Sequence, residues 1–226
     1  MRRARFLAPW KDDPRGKAAL YHCVSRVVER RKVFERAEKE QFVKFMRLYE
    51  EFCGVRVRSY CVMGNHFHIL LEVPPRPGEV MGDEALLEHL RLIYSELKVA
   101  EVRGQIRMRR EAGDEAGAEA FKQEKFLYRM WDLSQFMKVL KGRFTQWFNK
   151  RHGRKGTLWE ERFKSVLVED GATARVMSAY IDLNPIRAGL VDDPARYAWS
   201  SYGAAVAGDR RARAGLERTM TEYEEE

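Results

Sequence analysis

Alternating and helical patterns of apolar residues divide the chain into short strands and amphipathic helices. Strand-like patterns run over residues 21–28, 55–62 and 66–73, and a further strand is predicted over 163–168. Residues 63–65, Met-Gly-Asn, are typical of a turn. Because this turn separates two adjacent strand patterns, the sequence predicts an antiparallel hairpin there.

Apolar residues that recur every three or four positions predict three helices. The first has the stripe Phe42, Phe45, Met46, Tyr49 and Phe52. The second is predicted to begin at an N-cap, Ser134, and to end near Gly153, and its stripe is Phe136, Met137, Leu140, Phe144, Trp147 and Phe148. The third is predicted over about 173–183, stopped by Pro185.

The rest of the chain predicts one interrupted domain and a tail. A Pro/Gly break at 74–78 opens a charged stretch with helical tendency that reaches about residue 131. We interpret residues 1–205 as one domain, interrupted by a helical insertion at about 75–131. Residues 206–226 are rich in arginine and then in glutamate, which predicts a mobile charged tail.

Composition limits the class of protein. With 226 residues, 45% of them hydrophobic, the chain can bury a substantial core. It has no apolar run long enough to span a membrane, and no apolar signal-peptide core follows the basic start, so we expect a cytoplasmic protein without a membrane partner. The three cysteines, Cys23, Cys53 and Cys61, lack C-x-x-C spacing, which predicts small core residues rather than disulfides or a zinc site.

The positive charge of the chain is concentrated in one segment. The net charge is +8 and the pI is about 9.4, values that favour a polyanionic partner. Residues 137–164 contain nine Lys or Arg and two Glu, with aromatic residues between them. Lysine and arginine neutralise phosphates, and an exposed aromatic ring can stack on an unpaired base. The predicted nucleic-acid contacts are Arg26, Lys141, Arg143, Arg151, Arg154, Lys155, Trp159, Arg162 and Lys164.

Two histidines stand at alternate positions on one predicted strand. Since side chains alternate along a strand, His66 and His68 share one face, and Phe67, Ile69 and Leu71 share the other. Neutral imidazole is a good ligand for divalent metals, and two side chains this close can converge on one ion. An isolated pair of this kind is more often structural, so the metal hypothesis needs a partner elsewhere in the chain.

A tyrosine on the last predicted helix is the candidate partner. Tyr180 and Asn184 are four residues apart and would share one helix face. The Asn184 amide oxygen could complete a metal site, and the Tyr180 hydroxyl could attack a phosphate beside it. From spacing alone, a core tyrosine and a helix-terminal asparagine remain the alternative.

Five motifs, taken together and in order, resemble a known family. They are YHCVSR at 21–26, VMGNHFHIL at 62–70, GTLWEERFK at 156–164, YIDLNPIRAGLV at 180–191 and WSSY at 199–202. In this arrangement the chain resembles the single-tyrosine HUH transposases, an insertion-sequence transposase family, and within it the REP-associated tyrosine transposases. The resemblance spans about residues 15–203, apart from the insertion.

The resemblance implies an α+β fold, a ferredoxin-like or RRM-like antiparallel sheet flanked by helices. It also implies cleavage and rejoining of single-stranded DNA near a hairpin. The sequence leaves open whether the protein is a monomer or a homodimer. In this family's pattern His66 and His68 are metal ligands, Asn184 is the third ligand, and Tyr180 is the nucleophile that forms a 5′-phosphotyrosine. The implied cofactor is Mg²⁺ or Mn²⁺.

Two other functions compete with this hypothesis. A histidine-triad nucleotide hydrolase would need a third alternate histidine, but position 70 is leucine. A non-catalytic nucleic-acid-binding regulatory module on the same fold would keep the basic surface without turnover. The presence of His66, His68 and Tyr180 favours the enzyme.

Overall fold

A computed structural model of the chain describes residues 7–11, 13, 16–169 and 171–221. The strands are β1 Ala19–Arg26, β2 Arg56–Val62, β3 His66–Val73 and β4 Lys164–Val168. The helices are α1 Arg36–Cys53, α2 Asp83–Leu90, α3 Glu96–Glu111, α4 Glu115–Lys125, α5 Leu133–Arg151, α6 Gly171–Asp182, α7 Asn184–Arg187, α8 Ser201–Val206 and α9 Arg210–Thr221.

The four strands form one antiparallel sheet in the order β2-β3-β1-β4. With α1 between β1 and β2, and α5 between β3 and β4, the chain has the β-α-β-β-α-β arrangement of the ferredoxin-like fold. The predicted hairpin is confirmed: β2 and β3 pair directly, with Val62 opposite Phe67. The predicted α+β fold class is also confirmed.

The two faces of the sheet are covered differently. One face carries Phe67, Ile69 and Leu71 and packs against α1 and α5 in the main core, where the rings of Phe42 and Phe67 are 4.6 Å apart. The other face carries a smaller apolar cluster in which Leu70 of β3 packs with Ile181 of α6. Helix α6 is therefore the element that approaches the face on which the paired histidines lie.

The outer edge of β2 is covered by the segment that leads into α8. The backbone N–H of Val62 donates to the carbonyl of Trp199 at 2.9 Å, and the N–H of Tyr60 donates to Ser201 Oγ at 2.6 Å. These bonds satisfy edge groups that would otherwise be open to pairing with another strand.

The predicted helical insertion forms α2, α3 and α4. Its apolar residues Leu86, Leu90, Val102 and Ile106 join the main core. Its helices are also held together by ion pairs of Asp83 with Arg110 and Lys122. The insertion is thus packed against the domain rather than projecting from it as an independent unit.

One of the predicted helix boundaries needs correction, and another is confirmed. Helix α5 is capped by Asp132, whose carboxylate accepts from the Gln135 N–H at 2.8 Å, so Ser134 lies inside the helix and is not its N-cap. A carboxylate caps as well as a hydroxyl and here comes two residues earlier. Helix α6 ends at Asp182, within one residue of the predicted end, and Pro185 stands in the first turn of the short separate helix α7, where its missing N–H has no partner to lose.

The prediction of a mobile tail is wrong for residues 210–221. They form α9, which packs so tightly on β2 that a Cβ at Gly215 would lie 2.7 Å from the carbonyl oxygens of Val57 and Arg58. Helix α9 buries Ala212, Gly215 and Thr219, small residues that allow this close approach. The last part of the predicted tail, residues 222–226, lies outside the described residues.

The three cysteines are buried core residues, as predicted. Burial raises the pKa of Cys53 to about 12, which makes this thiol unreactive at neutral pH. None of the helices in the described part of the chain is both long enough and apolar enough to cross a membrane.

Candidate nucleic-acid cleavage site

Three histidines lie on the sheet face that α6 approaches. In the β1–β3 pairing, Val24 is opposite His68 and Arg26 is opposite His66, and directly opposed residues share a face. His22, two residues before Val24, therefore faces the same side as His66 and His68. The ring centroids of His66 and His68 are 5.0 Å apart, and those of His22 and His68 are 5.2 Å apart.

Each histidine of the predicted pair has a hydrogen-bond partner at Nδ1. Nδ1 of His66 bonds the Asn65 side-chain oxygen at 2.7 Å, and Nδ1 of His68 lies 3.0 Å from Nε2 of His22. The Asn65 amide nitrogen donates to the Arg30 carbonyl at 3.0 Å. Arg30 has a positive φ of 53°, so Asn65 links a left-handed turn of the backbone to the imidazole of His66.

Burial keeps these imidazoles neutral. It lowers the pKa of His66 to about 4, with a smaller contribution from Arg26. It lowers the pKa of His68 to about 3, aided by the neighbouring His66 and His22, and that of His22 to about 4. A neutral imidazole keeps one ring nitrogen unprotonated and able to bind a metal.

Helix α6 presents Tyr180 to this histidine cluster. The helix turns Ala174, Ser178 and Ile181 toward the protein and leaves the Tyr180 side chain 37% exposed. The Tyr180 ring lies edge-on to His68, with centroids 5.9 Å apart, and to His22, at 6.2 Å. The structure thus brings the predicted nucleophile and the predicted pair together on one accessible surface.

Asp182 fixes the end of α6 to the rest of the domain. Its carboxylate accepts from the Tyr202 N–H at 3.0 Å and lies 3.4 Å from the Ser59 hydroxyl, so it joins α6 to both α8 and β2. Burial raises the pKa of Asp182 to about 7. This anchoring restricts the position of Tyr180, two residues earlier in the helix.

The side chain of Asn184 forms hydrogen bonds with the backbone of α6, an interaction that was not predicted. Its amide nitrogen donates to the carbonyls of Tyr180 and Ile181, at 2.9 and 3.2 Å, so its side chain closes the last turn of α6. Within the part of the chain that the structure describes, no bond joins Asn184 to a histidine, and no group of three or more His, Cys, Asp or Glu side chains is arranged to hold a metal ion. The predicted third ligand stays a prediction.

Arg187 adds a positive charge beside Tyr180. The guanidinium carbon lies 4.8 Å from the centroid of the Tyr180 ring, and Arg187 is exposed. Among the described residues, no carboxylate forms an ion pair with Arg187, so the guanidinium can bind an anion that approaches Tyr180.

Two of the predicted DNA contacts lie on the histidine face. Arg26 is exposed opposite His66, and Lys164 of β4 is opposite Val24 and therefore shares this face. Lys164 also forms an ion pair with Glu161 at 2.9 Å, at the surface. Together with Arg187 they place three cations around the histidines and Tyr180.

The other predicted contacts lie on the α1–α5 layer or in the loop after α5. Arg143 packs over the Phe45 ring of α1, Arg151 pairs with Glu38 at 3.4 Å, and Arg154 packs over Phe148. Lys155 is exposed in the loop. These residues are not on the face that carries Tyr180.

Beside the N-terminal half of α5, two further predicted contacts flank a surface pocket. Lys141 and Arg162 line it with Met137, Lys138 and Phe163. The pocket combines positive charge with apolar walls, and it lies at the edge of the sheet.

Trp159 is a core residue and does not suit the predicted stacking role. It is 8% exposed, and its indole N–H donates to the Thr145 hydroxyl at 2.9 Å. Its ring packs edge-on against Phe67, with centroids 5.5 Å apart. A base could not reach the face of this ring without unpacking the core.

Three residues at the site were not predicted from the sequence. His22 could be recognised as a site residue only from the β1–β3 register, although its position in the YHCVSR motif was one indication. Arg187 follows Tyr180 by seven residues, and residues with this spacing lie on the same face of a helix. Because the helix was predicted to end before Pro185, Arg187 was not considered as a neighbour of Tyr180. Asn65 was interpreted only as a turn residue, although an asparagine directly before a histidine pair can bond the first imidazole.

Comparisons with known proteins agree with the predicted resemblance. Residues 17–80, which contain β1 to β3 and the paired histidines, match the family described as Transposase IS200 like. A search of curated proteins found no match. The fold is similar to a solved structure described as a REP-associated tyrosine transposase bound to a REP hairpin, with a TM-score of 0.53 and 13% identity, covering 92% of this chain and 85% of that chain. The family-level prediction is confirmed to this extent: residues 17–80 resemble the IS200-like transposases, and the whole chain is similar in fold to the solved transposase.

Proposed function

We propose that the protein is a metal-dependent transposase-like enzyme that cleaves and rejoins single-stranded DNA near hairpins, with Tyr180 as nucleophile. One observation carries the proposal: the exposed Tyr180 ring lies within about 6 Å of the rings of His68 and His22, on the face that also carries Arg26, Lys164 and Arg187. A phosphate bound by these cations would lie beside the tyrosine hydroxyl. The solved structure similar in fold is described as bound to a REP hairpin, which supports the choice of DNA.

The proposed reaction exchanges one phosphoester for another. The Tyr180 oxygen bonds to phosphorus, the bond from phosphorus to the 3′ oxygen breaks, and the departing 3′ oxygen takes up a proton while the tyrosine hydroxyl loses one. The products are a 5′-phosphotyrosine and a free 3′-OH. Rejoining reverses these steps, with the 3′-OH of the same or another strand as nucleophile.

The residues of the site fit a divalent ion. His66 and His68 are neutral, and because their Nδ1 atoms are engaged by Asn65 and His22, each can offer Nε2 as a ligand. Asn184 Oδ1 is the proposed third ligand, since its amide nitrogen is used within α6. When bound, Mg²⁺ or Mn²⁺ would polarise the phosphate. The two imidazoles favour Mn²⁺ over Mg²⁺.

Trapping the covalent intermediate tests the proposal. Wild-type protein is incubated with hairpin-containing single-stranded DNA and Mn²⁺, and a protein–DNA adduct is sought on a denaturing gel. We expect Tyr180→Phe to abolish the adduct because no oxygen remains to attack. Tyr202→Phe, which removes an exposed hydroxyl on α8, should leave it unchanged.

Two results would contradict the proposal in different ways. An adduct that persists in Tyr180→Phe would show that another residue is the nucleophile. A wild-type protein that binds hairpins but forms no adduct on any of them would favour the non-catalytic regulatory module.

A further inference from the structure

His22 has a geometry that no role in the proposed reaction yet explains. Its Nε2 lies 3.0 Å from Nδ1 of His68, and the two ring planes are inclined by only 7°. The ring centroids are farther apart, at 5.2 Å, than these two nitrogens. The rings therefore meet through their edges, as an N–H···N hydrogen bond requires.

The neighbouring imidazole shows how such a bond selects a metal-binding atom. The Asn65 amide nitrogen donates to the Arg30 carbonyl, so the atom that faces His66 is the Asn65 oxygen, which can only accept. Nδ1 of His66 must therefore carry the proton. Since a neutral imidazole carries one ring proton, Nε2 of His66 keeps its lone pair.

We propose that His22 acts on His68 as Asn65 acts on His66: it accepts the Nδ1–H of His68 and so leaves Nε2 of His68 as the metal-binding atom. His22 is then a positioning residue for the metal site. This inference rests on the proposed function, because it assigns a partner to a ligand of that site.

The surroundings of His22 favour this role over direct ligation. Its directly opposed neighbours on the two flanking strands are Leu70 and Val166, both apolar, so the nearest polar partner on the sheet is His68. The His22 nitrogen that faces the cluster is already used in this bond. A neutral imidazole is a weaker acceptor than a carboxylate, which predicts a metal site of modest affinity.

Metal binding and proton position can both be measured without turnover. We would titrate Mn²⁺ into the full chain and follow free Mn²⁺ by electron paramagnetic resonance for wild type, His22→Phe, His22→Gln and His66→Ala. Loss of an outer partner of a metal-bound histidine typically costs about 10- to 100-fold in affinity, and we expect that loss in His22→Phe. His22→Gln should keep most of the affinity, because its amide oxygen can accept the same proton.

A second readout follows the tautomer directly. In metal-free wild type, ¹H–¹⁵N correlation spectra of the histidine side chains should show the His68 proton on Nδ1, and in His22→Phe a shift toward Nε2. His152→Phe, on the α1–α5 layer, is the matched control and should change neither readout. Thermal melting of each variant verifies that it is folded.

The outcomes separate this inference from the function on which it rests. Unchanged Mn²⁺ affinity in His22→Phe, or a proton on Nε2 of His68 in wild type, overturns the role of His22 and leaves the metal site standing. Equal losses in His22→Gln and His66→Ala would make His22 a direct ligand and also overturn it. Absence of Mn²⁺ binding by wild type would overturn the metal site itself, and the positioning role with it.

Discussion

At the scale of single residues, Arg187 is the group whose charge most directly bears on the reaction proposed for Tyr180. Its guanidinium, 4.8 Å from the ring centroid, can bind the phosphate under attack and stabilise the phenolate that leaves during rejoining. We expect Arg187→Gln to slow adduct formation about 10- to 100-fold, the loss of a charge-assisted hydrogen bond. Single-turnover rates at saturating DNA measure this effect.

The control for Arg187 is another exposed arginine of the same region. Arg196 pairs with Asp192 at the surface, so Arg196→Gln should leave the rate unchanged. Equal rates in Arg187→Gln and wild type would exclude a part for this guanidinium in the chemistry.

The sequence could predict the site residues that are brought together within a single strand or helix. It could not predict those brought together by the packing of distant segments. His66 and His68 share a face because they are alternate residues of one strand, and Tyr180 was found from its own helix. His22 contacts His68 across 46 residues of chain, through a strand register that periodicity does not specify. Asn184 was predicted to share a helix face with Tyr180, but it lies just after α6, where its amide nitrogen closes the last turn of that helix, a choice that spacing could not reveal.

At the scale of elements, the insertion helices depend on one carboxylate. Asp83 of α2 accepts from Arg110 of α3 at 3.0 and 3.1 Å and from Lys122 of α4 at 2.9 Å. The Lys122 side chain is almost fully buried, so its charge needs this partner and Glu119. These bonds, first those from Arg110, lower the pKa of Asp83 to about 2.

The lowered pKa of Asp83 predicts a defined acid dependence. Because the folded-state pKa lies below that of the unfolded chain, the stabilisation is complete above about pH 4 and is lost as pH falls toward 2. Asp83→Asn should lower stability at pH 7 by about 1–3 kcal/mol and flatten this part of the pH profile. Amide hydrogen exchange of α2 to α4 and thermal melting at several pH values measure both effects.

Glu84→Gln is the matched control for Asp83→Asn, since Glu84 pairs with Arg103 at the surface. It should change stability by less than about 1 kcal/mol. A pH profile of Asp83→Asn parallel to that of wild type would show that Asp83 does not couple the helices.

The elements that the sequence did not predict lack a large apolar stripe. Strands β1 to β4 and helix α5 follow clear periodicities and form within one or two residues of their predicted bounds, and α1 contains the whole of its predicted apolar stripe. Helix α9 buries Ala212, Gly215 and Thr219 among exposed arginines, so its inner face is defined by small size rather than hydrophobicity. A search for apolar periodicity therefore interprets it as a charged tail.

At the scale of the whole molecule, the insertion contributes none of the net positive charge. Residues 75–131 contain ten Lys or Arg and eleven Asp or Glu, whereas the complete chain has 42 and 34. The excess positive charge therefore lies outside the insertion. A polyanion should be attracted to the domain that carries the histidines and Tyr180, and not to the insertion.

This distribution predicts how salt affects DNA binding. Each cation that neutralises a phosphate of single-stranded DNA adds about 0.7 to the slope of log affinity against log salt concentration. Arg26→Gln and Lys164→Gln, both on the histidine face, should each reduce that slope by about this amount. Arg107→Gln on α3 removes the same charge from a surface residue paired with Glu111 and should leave the slope unchanged.

Fluorescence anisotropy with a labelled hairpin at several salt concentrations measures these slopes for wild type and the three variants. Tyr180→Phe is included so that binding is followed without covalent trapping. If Arg107→Gln reduced the slope as much as Arg26→Gln, DNA would have to contact the insertion as well. The bound DNA would then extend beyond the histidine face to the insertion. Because the insertion has almost no net charge, it can contact phosphates only through individual arginines such as Arg107.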